Sequence, residues 1–177
     1  ASDVYKRQMY IDDSGNLSVA DIRSRCRRQQ TRYGLDLVVI DYLGLLQLGN
    51  KRGSLVADIA EATRALKILA KELQVPIMLL CQLSRGSESR KENGYRPILA
   101  DLRDSGAIEQ DADMVLLLYR KALAMRNRKD DSEYGGAPAE EIEDNTAEVI
   151  VAKNRNGPLK TVNLAFQGMF SRFVNPS

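Results

Sequence analysis

Four groups of side chains in this sequence have the types and spacing to do chemistry. Asp41 directly follows the apolar run Val38, Val39, Ile40. An acid at the tip of a buried strand costs free energy unless something pairs it. A carboxylate there can hold Mg²⁺, directly or through water, beside nucleotide phosphates; it can equally be a turn or N-cap residue. Gln82 and Ser84 end a second apolar run, where a Gln amide could hydrogen-bond a γ-phosphate or an attacking water. Arg103, Asp104, Ser105 and Gly106 form a compact turn before a helix expected to begin near Ala107, with Ser105 as N-cap and Glu109 complementing it. Gly106 allows a backbone N–H close to a ligand. An Arg beside such amides suits a phosphodiester backbone, and a plain strand-entry turn with an Arg–Asp pair is the alternative. Lys153 and Arg155 stand two apart on a strand and so share a face. They could reach a neighbouring subunit's phosphates or be ordinary solvated cations. The loop Ser84–Pro97 carries Arg85, Arg90, Lys91 and Arg96 but a single aromatic, Tyr95, so it reads as a surface loop rather than a base-stacking platform.

The elements that must position these residues are short. "MYID" (9–12) reads as a strand. A helix follows, opened by Ser18 with Asp21 three residues on, and closed by Gly34. Its basic face, "RSRCRRQQTR", is taken as a solvated helix face rather than a phosphate patch. Residues 37–41 form a buried strand. Leu55–Leu73 is amphipathic, with Ile59, Ala62, Leu66, Leu69 and Leu73 at helical spacing, and Pro76 stops it. "IMLLCQL" and "DMVLLLYR" are two more continuous apolar strands, the second ending at Arg120. A polar connection runs from Lys121 to Asn145, and strands alternate around an "RNGP" turn to the end. Continuously apolar strands separated by long crossovers predict a parallel sheet covered on both faces, closed by an antiparallel hairpin.

Bulk properties exclude several classes. The balance of 26 Lys+Arg against 24 Asp+Glu leaves a net charge of +2, so any anion site is local. There is no histidine, which removes Ser-His and Cys-His catalysis and His-ligated zinc. Cys26 and Cys81 are far apart in sequence and imply no disulfide but a reducing compartment. No apolar run approaches the roughly 20 residues of a membrane span, and no signal peptide is visible, so the cytoplasm is expected.

In order along the chain, "VVIDYLGLLQ", "EATRALKILAKELQVPIMLLCQLSR", "RPILADLRDSGAIEQDADMVLLLYR" and "VAKNRNGPLKTVNLAFQGMFSRF" closely resemble the carboxyl-terminal ATPase domain of the DnaB-type replicative DNA helicases. The match runs from about Met9 to Phe173. The resemblance implies a RecA-like α/β domain that assembles as a homo-hexameric ring, hydrolyses ATP with Mg²⁺ between subunits, and moves 5′ to 3′ on single-stranded DNA. It also implies a primase and a helicase loader as partners. By position, Asp41 matches the Walker B aspartate on the metal, and Gln82 the glutamine that senses the γ-phosphate. Arg103, Asp104 and Gly106 match the DNA-backbone loop. Lys153 and Arg155 match the pair that reaches into the neighbour's ATP site.

Asp104 stands where the family usually has Glu, and Lys160 where a Gly often follows "NGPx". No GxxxxGK[ST] P-loop occurs in the 177 residues. The family's P-loop and catalytic glutamate are expected upstream of Met9, and "ASDVYKRQ" (1–8) is expected to be a leader foreign to the family, with residues 9–177 a partial domain. On this basis the chain alone is expected not to hydrolyse ATP, and its sheet to carry an exposed edge. The competing readings are a non-catalytic module that binds single-stranded DNA or a helicase ring, or a related phage or organellar primase-helicase or clock-type RecA ATPase.

Overall fold

A computed structural model describes residues 9–48, 54–83, 95–126 and 145–176, with backbone only at 103–105 and 125–126. The expected leader (1–8), Ser84, the basic residues Arg85, Arg90 and Lys91, and residues 127–144 of the second polar connection lie outside the described residues. The chain divides into two units, Ala1–Asp58 with Ala65–Cys81, and Ile59–Arg64 with Gln82–Ser177.

The first unit is built on α1 (Val19–Tyr33), β1 (Val38–Ile40), β2 (Ile77–Leu79) and most of α2 (Leu55–Leu73). Helix α1 starts where the sequence says it must. The Ser18 hydroxyl accepts the Asp21 N–H, and the Asp21 carboxylate accepts the Ser18 N–H at 3.0 Å, closing a capping box. Gly34, at φ +82, ends it in a conformation that penalises any Cβ. Ile22 and Cys26 point from α1 into a cluster with Ile40 of β1, Leu66, Leu69 and Leu73 of α2, and Val75. Leu69 is the centre, fully buried. Burial also pushes the Cys26 thiol up in pKa.

The basic face of α1 is bound to acids of this unit. Arg23 and Arg27 both pair with Glu72, Arg27 Nε at 2.6 Å, and Arg25 pairs with Asp12 and with the Ser14 hydroxyl. Hydrogen bonds from Arg25 and Ser14 hold the Asp12 carboxyl at about 2. A lowered carboxylate contributes stability above the ordinary carboxylate range and loses it as pH falls through its folded value. An NMR titration of Asp12 should show a midpoint near that value, rising toward the ordinary range in Arg25→Ala while the Ser14 hydrogen bonds still hold it down; an unchanged midpoint removes the ion pair as a cause.

The second unit is a four-stranded sheet, β3 (Met114–Tyr119), β4 (Thr146–Asn154), β5 (Lys160–Gln167) and β6 (Arg172–Val174), ordered β3-β4-β5-β6 and antiparallel throughout. It also holds α3 (Gly106–Asp111), entered from a 3-10 turn over Leu99–Ser105, and α4 (Lys121–Arg126), where the sequence predicts only a polar connection. Arg96 clamps the sheet: its Nε and Nη2 reach Glu148 Oε2 at 2.9 and 2.6 Å, and Nη2 reaches the Thr161 hydroxyl. Arg96→Ala should cost about 1 kcal/mol of stability, since the pair is part-exposed; a denaturant midpoint that does not move rules the clamp out.

Three expectations are corrected. Residues 9–12 form no strand: Met9 and Ile11 are exposed, no described strand pairs with them, and Tyr10 stacks on Tyr33 instead. The run over 77–83 is a strand only at Ile77–Leu79. The apolar strands are not covered on both faces. Along β3, Val115, Leu117 and Tyr119 are buried while Met114, Leu116 and Leu118 are exposed, the last at 72%. That alternation is what an antiparallel sheet with one packed face requires. The fold remains α/β, but only β1 and β2 pair in parallel, and β3 joins the antiparallel part. No helix among the described residues is long and apolar enough to cross a membrane.

Candidate functional site

Asp41 follows the last residue of β1. The parallel register sets Ile40 against Leu79, and the ladder is carried on by Leu80 N–H to Ile40 O at 3.0 Å and by Leu43 N–H to Leu80 O at 2.9 Å. With Ile40 and Leu43 both buried, the chain is pinned on either side of Asp41. The Asp41 side chain is exposed and takes no hydrogen bond or ion pair from a described residue. A free carboxylate at the carboxyl end of a parallel strand is where open α/β sheets place ligand chemistry. One carboxylate with open space fits Mg²⁺, which keeps several waters and takes its remaining ligands from substrate phosphates. Gln82 is exposed, three residues beyond the end of β2, and falls in the second unit.

The segment 103–106 is part of a tighter structure than a simple turn. Leu99–Ser105 is a 3-10 helix that runs directly into α3 at Gly106, whose φ of −50° and ψ of −26° are helical. Buried Asp101 fixes its start, its carboxylate accepting the Ile98 N–H at 2.8 Å and its own N–H donating to Ile98 O. Leu102 is buried beside it. Arg103 and Asp104 therefore lie on a backbone anchored on its upstream side, while their side chains, with that of Ser105, lie outside the described residues.

Lys153 lies near the end of β4 and Arg155 just past it. Both turn to the carboxyl end of α3. The Lys153 amine donates to Glu109 O, and Arg155 Nη2 donates to Gln110 O at 2.5 Å. Arg155 Nη1 lies 3.5 Å from Asp113 Oδ1, and its backbone N–H donates to Asp113 O at 2.9 Å. The last four carbonyls of a helix have no intrahelical partner and carry partial negative charge, so two cations are well placed there. Thus Gly106 and the pair Lys153 and Arg155 attach to opposite ends of one six-residue helix, roughly 9 Å long at the standard rise. Thr63 holds the same helix from the side, donating to Asp111 Oδ2 at 2.9 Å.

Sequence reasoning does not single out Glu109, Gln110, Asp111 and Asp113 for this role. The signal is present as "EQDAD", an acidic helix end that calls for cations. Arg120, one residue beyond β3, packs its guanidinium 3.5 Å from the centroid of the Phe166 ring, and Phe166 in turn lies 4.9 Å from Phe173. This is a cation–π contact between the end of β3 and β5.

Comparison with known proteins matches residues 1–175 to the DnaB-like helicase C terminal domain. The chain is similar to the replicative DNA helicase DnaB of Leifsonia xyli subsp. xyli, 49% identical over 167 residues that cover 94% of this chain and 33% of that protein. It is 44% identical over 168 residues to the replicative DNA helicase DnaB of Geobacillus stearothermophilus, covering 94% of this chain and 34% of that one. The chain spans about a third of the length of these curated relatives. Among solved structures, an ATPase domain superposes with a TM-score of 0.72 at 39% identity, covering 92% of this chain and 52% of that one. A DnaB-like replicative helicase, solved with its interactions with primase, superposes with a TM-score of 0.75 at 39% identity, over 94% of this chain and 38% of that one.

Proposed function

Since the chain belongs to the DnaB-like helicase C terminal domain family, we propose that it is part of the ATPase motor of a replicative DNA helicase. In this reading it works in a homo-hexameric ring in the cytoplasm, hydrolyses ATP at subunit boundaries, and moves 5′ to 3′ on single-stranded DNA, served by a primase and a loader. The observation that carries the reading is Asp41, an exposed carboxylate with no described partner, held between buried Ile40 and Leu43 at the end of a parallel strand.

Each residue's part follows from its chemistry. Mg²⁺, when bound, would neutralise phosphate charge as it develops. Asp41 orients that ion and Gln82 donates from its amide to the γ-phosphate side. Lys153 and Arg155 are cations at the end of a strand paired on both sides, so they can offer positive charge to a neighbouring subunit's phosphates. Arg103, Asp104 and Gly106 meet the DNA backbone, with Arg103 supplying the charge and Gly106 the close backbone approach.

The test is ATP turnover with and without single-stranded DNA in the longer protein that carries this domain, wild type against Arg103→Ala. DNA stimulation should fall, and the slope of log affinity against log salt should flatten by about 0.7 for one lost phosphate contact. Wild-type protein without DNA-stimulated turnover sinks the motor reading. An unchanged slope removes only Arg103 from the DNA path.

A further inference from the structure

We infer that Tyr42 and Gly44 are positioning residues for the Asp41 carboxylate, with Gly44 kept free of a side chain so that the Tyr42 ring can seat against it. The inference rests on the proposed role of Asp41 in holding a divalent cation. The contacts that carry it are observed independently of that role.

Both anchors around Asp41 belong to one residue, Leu80, just past β2. Leu80 donates its N–H to Ile40 O at 3.0 Å and accepts the Leu43 N–H at 2.9 Å. Asp41 and Tyr42 therefore protrude from the ladder together, with fixed ends and torsional freedom between them. Outer hydrogen bonds usually orient a carboxylate that serves a metal. Asp41 takes none from a described residue, so its direction has to come through the chain. A seated Tyr42 side chain restrains the backbone between the anchors, and with it the Asp41 Cβ. Mg²⁺ demands near-ideal octahedral geometry, which makes a fixed direction useful.

Gly44 supplies the seat. It is the middle residue of the 3-10 turn Leu43–Leu45, whose N-cap is Tyr42. A Cβ built on Gly44 would lie 2.5 Å from Cε2 of the Tyr42 ring, and 3.2 and 3.3 Å from Cζ and Cδ2. Carbon atoms pack at about 3.5–4.0 Å, so a side chain at position 44 displaces the ring. The backbone does not ask for glycine here, because Gly44 has no positive φ. A glycine inside a helical turn also costs stability relative to alanine. What calls for it is the ring that lies over it.

NMR on the 177-residue chain decides the matter in two readings. The first uses no metal. The order parameter of the Asp41 N–H should be about 0.85 in wild type and fall below roughly 0.6 in Gly44→Ala and in Tyr42→Ala. Tyr42→Phe keeps the ring and should keep the wild-type value. Tyr42→Ala/Gly44→Ala should be no worse than Tyr42→Ala, since the added Cβ then has nothing to displace. The second reading uses Mn²⁺ alone as the probe. It compares broadening of the Asp41 carboxyl carbon with that of Asp36, another exposed carboxylate of the same unit. The Mn²⁺ concentration that halves the Asp41 signal should rise roughly tenfold in Gly44→Ala and in Tyr42→Ala, the low end of the loss when a metal ligand loses its orienting partner. Asp36 should not change. If Gly44→Ala does not fold, Tyr42→Ala against Tyr42→Phe decides. A rigid Asp41 amide in Gly44→Ala, Tyr42→Phe as disordered as Tyr42→Ala, additive losses in the double variant, or an equal change at Asp36 each overturns the inference. Wild-type Asp41 no more sensitive to Mn²⁺ than Asp36 sinks the proposed role of Asp41 and the inference with it, whereas failure of the metal-free reading sinks the inference alone.

Discussion

On the proposed function, replacing Arg155 by alanine in the longer protein that carries this domain should lower ATP turnover by roughly 10³–10⁵, the range in which a trans-acting arginine stabilises phosphoryl transfer. Nucleotide binding should stay within a fewfold of wild type, because a trans-acting arginine acts on the charge that develops in the transition state rather than on the bound ground state. Arg155→Lys should not restore the rate. A guanidinium offers a planar fork to two phosphate oxygens and an ammonium does not. The measurement is steady-state turnover beside equilibrium binding of a fluorescent ATP analogue. Turnover within tenfold of wild type would take Arg155 out of the chemistry. Loss of turnover with equal loss of binding would mean instead that Arg155 matters to the fold.

The second large effect is on stability. Leu69→Ala should cost roughly 2 to 5 kcal/mol, the range for removing a fully buried leucine. Leu69 has no exposed surface and touches a cluster contributed by α1, β1 and the residues before β2. Those elements come from distant parts of the sequence, so the site has little freedom to collapse around the hole. Against a usual domain stability of about 5–15 kcal/mol the loss is a large fraction. Urea unfolding followed by circular dichroism reads it, and a loss under about 1 kcal/mol would show that the core lies elsewhere. Ile40 belongs to the same cluster and precedes Asp41, so a milder variant, Leu69→Val, should also loosen the carboxylate's seat.

Helices α1 and α2 were legible because their signals are local. Ser18 and Asp21 lie three residues apart, Gly34 marks the stop, and the buried side of α2 repeats at helical period. The β4–β5 pair was legible through alternation and the "NGP" turn. Strand β3 was not. "MVLLLY" is apolar at every position, so its composition hides that alternate residues face solvent, and the sequence carries no mark of the antiparallel partner that makes them do so. The "MYID" stretch failed for the converse reason: its composition suits a strand, but a strand exists only where another pairs with it. The residues of the candidate site could be named by motif, yet their partners could not. Lys153 meets Glu109 across 44 residues and Arg96 meets Glu148 across 52, distances over which spacing says nothing.

The position of Cys26 has a practical use. Its sulfur lies in the cluster around Leu69, and burial disfavours the thiolate that reacts. A small alkylating reagent consumes it faster as that cluster opens. The rate of its loss is therefore a clock for the breathing of the unit that seats Asp41, written into the native chain and needing no added label.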